Sequence, residues 1–425
     1  MILRRAKILQ NKGFVTLGVI ACLFLFENKT VAQYMPTDWQ SNEAGGQGDS
    51  ITAWANNGGA AIFYNPAGLS LLHNRRSKSI LDDARAPLPD EIEANAQMLT
   101  QMQYDPNQWS KDLLDSAFKN PGQPSYLSIQ AFPYVLLGGK NTPAFLIGFP
   151  VRSENSAIFI DPASPNNATV NSINTASGAL AIAYATKLGG FRWGISARPN
   201  YRVQYETQTY DYTGDLSTKT YANTVGNNGI KTTAIGLDAG FMMTLSDYWF
   251  PTIGASVRNI PTGCIDNYID PITYKVEKMC GSIRKGGTEL SPNESQIDPT
   301  EIRAGVAVTP RGRIGRTVIN LRLSADVYPI PIKNGERYYG IPSVETANLI
   351  HAGGELFFGS ALSKTKFAVR GGYMNQEASW GASMDLYLFE LGYSSYVATS
   401  AVQDLTATII KYSERRQLLY LGWQL

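Results

Sequence analysis

The sequence predicts an all-β fold: a transmembrane antiparallel β-barrel of about fourteen strands, with an N-terminal hatch, or plug, as the candidate occupant of its lumen. Three observations carry this prediction. Apolar and polar residues alternate with period two in segment after segment from about residue 126 onward, the N-terminus is built like an export signal, and the last residues form an amphipathic strand. The chain divides into an export signal over 1–32, a plug segment over 33–75, and a barrel over 76–425 with a partly helical insertion near 87–124.

Arg4, Arg5, Lys7 and Lys12 precede an apolar run from Phe14 to Phe26, and Thr30-Val31-Ala32 offers a cleavage site, expected after Ala32. The run covers 13 residues, short of the ~20 that span a bilayer as a helix. Val19-Ile20-Ala21-Cys22 resembles a lipoprotein box, yet the apolar run continues past Cys22 to Phe26, where a lipidated cysteine would normally close it. Removal of the signal leaves Cys264 and Cys280. In an exported chain these predict one disulfide across the polar segment between them, free thiols being the alternative. CxxC spacing is absent and His73 and His351 are the two histidines, so no metal and no cofactor are expected. Charge is balanced, 37 Lys and Arg against 35 Asp and Glu, which gives no reason to expect a nucleic-acid partner.

No apolar run after the signal reaches the length of a membrane helix, and mean hydropathy is −0.17, which excludes a helical membrane protein. Alternation decides the class. Between Val318 and Tyr328, Ile319, Leu321, Leu323, Ala325 and Val327 share one face, and Asn320, Arg322, Ser324 and Asp326 the other. Ile302, Ala304, Val306 and Val308 likewise oppose Glu301, Arg303, Gly305 and Thr309; Phe367, Val369 and Tyr373 oppose Lys366, Ala368 and Arg370; Ile253, Ala255 and Val257 oppose Gly254, Ser256 and Arg258. A soluble sandwich also alternates but seldom runs to so many long strands in one unit. An outer-membrane barrel puts the apolar face outward to lipid and the polar face into the lumen. At the C-terminus Leu419, Leu421, Trp423 and Leu425 share a face against Leu418, Tyr420, Gly422 and Gln424. This resembles the closing-strand signal through which bacterial outer-membrane barrels meet their assembly machinery, with Leu425 where an aromatic residue is usual.

Thirteen strands are legible, near 126–136, 143–151, 178–188, 191–204, 231–245, 251–259, 301–309, 317–328, 348–358, 365–374, 378–387, 388–397 and 417–425. Their links alternate short and long, as periplasmic turns and extracellular loops do. With the C-terminus periplasmic, the first of the thirteen runs downward, so an upward strand must precede it. It is expected at about 76–86. The stretch Asp90 to Met102 reads as helical from its composition and falls in an extracellular excursion over 87–124; the alternative places it on the periplasmic side.

Ahead of the barrel lies AAIFYNPAGLSLL, Ala60 to Leu72. Pro66 fixes its own φ and holds Asn65 extended, and Gly68 tolerates angles that other residues avoid, so Asn65-Pro66-Ala67-Gly68 is a bend. Gly45, Gly46, Gly48, Gly58, Gly59, Ala60 and Ala61 let backbone pack closely inside a lumen that would otherwise leave a passage. A signal, a Gly/Ala-rich leader with this motif and a fourteen-stranded barrel together resemble the FadL-type outer-membrane transporters of long-chain fatty acids and other hydrophobic compounds. Asn65, Pro66 and Ala67 match the family's hatch motif; where relatives often carry an acidic residue upstream, this chain has Asn56-Asn57-Gly58-Gly59. The resemblance implies a hatch whose movement opens a path for an apolar ligand, with lateral release into the membrane.

The inward polar residues Arg198, Arg202, Asp238, Arg258, Glu301, Arg303, Asn320, Arg322, Asp326, Arg370, Asp385 and Glu390 are candidates for lumenal ion pairs and plug contacts. Arg198, Arg202, Arg258, Arg303, Arg322 and Arg370 are also the candidates to hold a ligand carboxylate. The expected partners are a hydrophobic ligand such as a fatty acid or hydrocarbon, outer-membrane lipid and the barrel-assembly machinery, with the chain a monomer. The leading function is therefore uptake of hydrophobic small molecules. A structural or secretion-associated barrel is the second class, favoured by a lumen packed solid with charged pairs. A lipid-modifying barrel enzyme would need a Ser–His pair at the lipid face; His351 and His73 read as structural, and no enzyme activity is expected.

Overall fold

The computed structural model describes residues 39–55, 58–72, 81–84, 91–95, 112–113, 116–117, 119, 123–138, 143–159, 170–207, 230–245, 249–269, 276–286, 296–314, 317–340, 346–360, 365–386, 389–403 and 409–423. The expected signal over 1–32, His73 and residues 96–111 of the insertion lie outside these.

Strands dominate. β1 (Leu81–Ala84) and β2 (Glu91–Asn95) form the first stave, β3 (Ser125–Ala131) and β4 (Tyr134–Leu137) the second, β5 (Ala144–Gly148) and β6 (Val151–Phe159) the third, and β7 (Val170–Ala179) and β8 (Ala181–Leu188) the fourth. Next come β9 (Phe191–Thr207), β10 (Ile230–Thr244), β11 (Thr252–Arg258), β12 (Gly263–Ile269), β13 (Val276–Gly286) and β14 (Gln296–Pro299). They are followed by β15 (Glu301–Val308), β16 (Arg311–Ile314), β17 (Thr317–Val327), β18 (Ile332–Asn334) and β19 (Arg337–Tyr339). The chain ends with β20 (Ile350–Ser360), β21 (Thr365–Met374), β22 (Glu377–Leu386), β23 (Phe389–Gln403) and β24 (Ile409–Trp423).

Antiparallel pairing runs β2–β3–β6–β7–β9–β10–β11–β15–β17–β20–β21–β22–β23–β24 and returns to β2, which closes a ring of fourteen. Closure gives each of these fourteen strands a partner on both sides, the condition for a sheet in lipid. The expected polarity is present. Ile195, Ile235, Phe241, Val306, Leu323, Phe367, Trp380, Leu419 and Leu421 stand exposed on the outside, whereas Arg198, Asp238, Arg258, Arg303, Asp326 and Arg370 are buried inside. A closed antiparallel ring with an apolar outside and a polar inside is the arrangement of a transmembrane β-barrel.

The first strand departs from expectation. It is Leu81–Ala84 followed by Glu91–Asn95, so the stretch from Asp90 that reads as helical begins as a ring strand. The reason is tertiary. Glu93 points inward to Arg416 at 3.4 Å and Arg152 at 3.8 Å, and accepts from the hydroxyls of Tyr126 and Tyr396. Helical propensity is weak beside a buried charge cluster of that kind. Several strands also run further outward than their apolar pattern, as in Val170–Leu188, Phe389–Gln403 and Ile409–Trp423, because above the lipid neither face needs to be apolar.

Two further features are built on the ring. The staves break at Pro133 and Pro150, which have no N–H for the ladder, and Phe149 N–H, Ala179 N–H and Leu180 N–H donate to the carbonyls of Pro133, Pro150 and Pro199. These residues form one line across four adjacent staves. The long link 260–300 is itself sheet: Cys264 stands opposite Cys280 in the β12–β13 register, and a disulfide joins them. β13 also pairs with β14 and β19, and β19 with β18.

Candidate functional site: the plug and its seat

The plug begins at Trp39 with α1 (Asn42–Gly46), capped by Ser41, whose Oγ accepts from Ala44 N–H at 3.2 Å. Gly48, at φ +62°, turns the chain where a Cβ would lie 2.6 Å from the Tyr373 backbone nitrogen. Short 3₁₀ turns follow at Thr52–Trp54, Gly58–Phe63 and Pro66–Gly68, then α2 (Leu69–Leu72). So short a segment of small residues has little apolar surface of its own. Its order comes from the wall.

One side of the plug is held by polar contacts. Thr52 N–H donates to Asp326 Oδ2 at 2.7 Å, the Ser50 and Ser324 hydroxyls meet at 3.0 Å, and His351 Nδ1 lies 3.1 Å from Gly48 O. Arg370 reaches Glu43 at 3.6 Å and Glu355 at 2.8 Å, and Gln47 reaches Glu355 at 3.4 Å. Asp49 accepts from the Tyr328 hydroxyl and lies 3.7 Å from Arg303, whose guanidinium sits 3.9 Å over the Tyr328 ring. Burial pushes the Asp49 carboxyl up to about 6, against the downward pull of Arg303.

The Asn65-Pro66-Ala67-Gly68 bend is an anchor as well as a bend. Asn65 is fully buried; its Oδ1 caps Ala67 N–H at 3.1 Å, and its Nδ2 donates to Thr52 O at 2.9 Å and reaches the barrel carbonyls of Phe241 at 3.0 Å and Ala255 at 3.3 Å. A Cβ on Gly240 would lie 2.1 Å from Asn65 Oδ1, and one on Gly68 1.8 Å from Ala55 O. Ser256 Oγ adds a bond to Tyr64 O at 2.6 Å. Backbone of plug and wall meet directly at Gly254, where a Cβ would lie 2.6 Å from Ala53 Cα.

The opposite side is apolar. Trp39, Ile51, Ile62, Phe63 and Leu69 pack with Phe132, Tyr134, Leu136, Leu146 and the inward alanines Ala144, Ala181, Ala183 and Ala185 of the broken staves. Trp39 stacks on Phe63 at 5.1 Å, and Phe132 meets both edge-on. These lower staves are apolar on both faces, since Phe145, Ile147 and Ile182 stand exposed outside.

Every candidate ligand-binding arginine is inward and paired with a carboxylate: Arg198 with Asp238 at 2.8 Å, Arg202 with Asp298 at 3.3 Å, Arg258 with Glu301 at 2.9 Å, Arg303 with Glu301 at 3.1 Å, Arg322 with Glu355 at 3.0 Å, and Arg370 as above. Of these, Arg303 and Arg370 also pair with plug carboxylates, Asp49 and Glu43. His351 stacks on Tyr328 at 4.0 Å inside the barrel and is therefore part of the seat, away from the lipid face. Sequence reasoning missed Glu93, Glu355, Asp49 and Arg192; the first two share parity with inward residues, and Arg192 shares it with Arg198 and Arg202.

No family model matches the chain, and no curated protein matches it. Among solved structures it is similar to the P. putida toluene transporter TodX, at 10% identity over 92% of this chain and 99% of that one, with a TM-score of 0.46. It is similar also to the Ralstonia pickettii toluene transporter TbuX, at 10% identity over 91% and 98% with a TM-score of 0.47, and to the CymD monoaromatic hydrocarbon channel, at 9% identity over 89% and 97% with a TM-score of 0.39.

Proposed function

We propose that this chain takes up hydrophobic small molecules across the outer membrane, long-chain fatty acids being one expected class, through a lumen gated by the plug. The observation that carries the reading is the two-sidedness of the plug. Its polar side is pinned to β10, β11, β17 and β20, while its other side meets an apolar inner wall. A pore for polar solutes has no use for such a wall, whereas an apolar ligand would find there a surface to replace the plug's own. The proline line runs through these same staves, which supports a way from lumen to lipid, and the solved structures similar to this chain are named for toluene and monoaromatic hydrocarbons.

The density of buried ion pairs on the polar side favours the second reading, a structural or secretion-associated barrel. Lipid extraction and mass spectrometry of the detergent-purified protein separate the two. The uptake reading expects a co-purifying fatty acid or hydrocarbon and an uptake defect on deletion; neither would be found for the structural barrel.

A further inference from the structure

Among the described residues, one inward-facing cation of the lumen has no anionic partner. Arg192, near the start of β9, is 7% exposed, and its hydrogen-bond partner among the described residues is Thr244 Oγ1 at 3.2 Å. Its Nε is buried without a partner. Each lumenal arginine named above is held by a carboxylate, so this one stands apart. It lies two residues to the periplasmic side of Gly194, where a Cβ would touch the Pro66 carbonyl carbon at 2.6 Å. The position is therefore beyond the plug's anchor, towards the periplasmic mouth.

Three hydroxyls share that level on the next strands. Thr244 of β10 meets Thr252 of β11 at 3.1 Å, and the two are register partners. Thr309, just past β15, follows Ala307, the register partner of Thr252; its Oγ1 is buried with no partner, while its N–H is used by Trp249 O at 2.8 Å. A buried guanidinium without a counter-charge and a buried hydroxyl without a bond are costly unless a ligand completes them. With Nη1 on Thr244 and Nε without a partner, the Nε–Nη2 edge of Arg192, the edge that grips a carboxylate, has no protein acceptor among the described residues.

We propose that Arg192 and Thr309 bind the carboxylate head of an amphiphile at the periplasmic mouth of the barrel. Arg192 supplies the charge and Thr309 a hydroxyl donor, while Thr244 and Thr252 position Arg192: Thr252 Oγ1 donates to Phe250 O at 3.2 Å, and Thr244 Oγ1 meets it and accepts from Arg192 Nη1. The site deepens the uptake reading by adding a head-group station beyond the plug, and it stands without that reading, since a carboxylate can also arrive from the periplasm.

Calorimetric titration of the full chain in a non-ionic maltoside tests this, with laurate, dodecanol and acetate as probes. Laurate should bind about tenfold or more tighter than dodecanol, the weight of one charge-assisted contact. Arg192→Gln should bring laurate down to dodecanol and leave dodecanol unchanged, while Arg284→Gln, in a paired cluster elsewhere, should keep the preference. Thr309→Val should reduce the preference and provides the test if Arg192→Gln lacks native heat-modifiable migration. Equal binding of laurate and dodecanol by the native chain, or a preference that survives Arg192→Gln, overturns the proposal. Acetate binding as tightly as laurate overturns the amphiphile as ligand. A laurate preference in a chain whose deletion leaves uptake unchanged keeps this site and removes the uptake reading; an uptake defect with no preference does the reverse.

Discussion

At Asn65 one side chain caps its own turn and bonds the carbonyls of Thr52, Phe241 and Ala255. Asn65→Ala strands buried carbonyls and removes a cap, a loss of about 2 kcal/mol in plug seating. Planar-bilayer recordings of Asn65→Ala should show larger and noisier conductance than the native chain, with heat-modifiable barrel migration retained. Asp49 makes the seat pH-dependent. Its carboxyl is raised from 3.8 to about 6 in the seat, so the protonated form is the one the seat favours. Seating contributed by this group is complete below pH 3.8 and is lost as pH rises through 6, a change of about tenfold in the seating equilibrium between pH 5 and pH 8. Protease protection of the plug should fall over that interval, and Asp49→Asn should flatten the response. Arg303 was legible as a candidate plug contact, but its partner Asp49 and the partners of Asn65 were not. A bend motif is visible in four letters, but which carbonyls it reaches depends on strands some 180 residues away.

At the scale of elements, alternation located thirteen staves because lipid on one side and a lumen on the other enforce period two. Parity then required a fourteenth. Its first half, Leu81–Ala84, lies within the expected 76–86; its second half, Glu91-Ile92-Glu93-Ala94-Asn95, was read as helical from its composition and is strand, with Glu93 paired to Arg416 and Arg152. Glu93→Ala removes one of two carboxylates from each of these buried cations, Arg152 keeping Glu154 and Arg416 keeping Glu414, and strands the Tyr126 and Tyr396 hydroxyls, at a cost of about 1–3 kcal/mol. The heat-modifiable transition should move to markedly lower temperature, while Glu377→Ala, whose Arg415 partner is exposed, should leave it in place. Cys264 and Cys280 were paired by elimination and are paired in the structure. Cys264→Ser with Cys280→Ser should destabilise the β12–β13 sheet by about 3 kcal/mol, read as faster proteolysis between 264 and 280 with the ring unaffected.

For the whole molecule, a closed ring, an apolar outside and a polar lumen follow from sequence pattern and physics. The asymmetry of the lumen does not, because inward alanines such as Ala144, Ala181 and Ala183 alternate with outward apolar residues and leave no polar face to read. That quadrant is where plug and wall meet chiefly through apolar side chains and where an apolar ligand would compete. Ser50 and Ser324, whose hydroxyls are 3.0 Å apart, offer a tether across the polar side. If the plug moves as a unit, Ser50→Cys with Ser324→Cys should lose uptake when oxidised and regain it on reduction; unchanged uptake would confine the movement to the apolar side. The central claim, uptake of hydrophobic molecules, is tested most directly by timing the entry of labelled oleate and labelled toluene into cells with and without this chain, against labelled glucose. The account predicts slower entry of at least one hydrophobic probe on deletion, restored by the gene, with glucose unchanged. Equal entry of both hydrophobic probes in the two strains would contradict it.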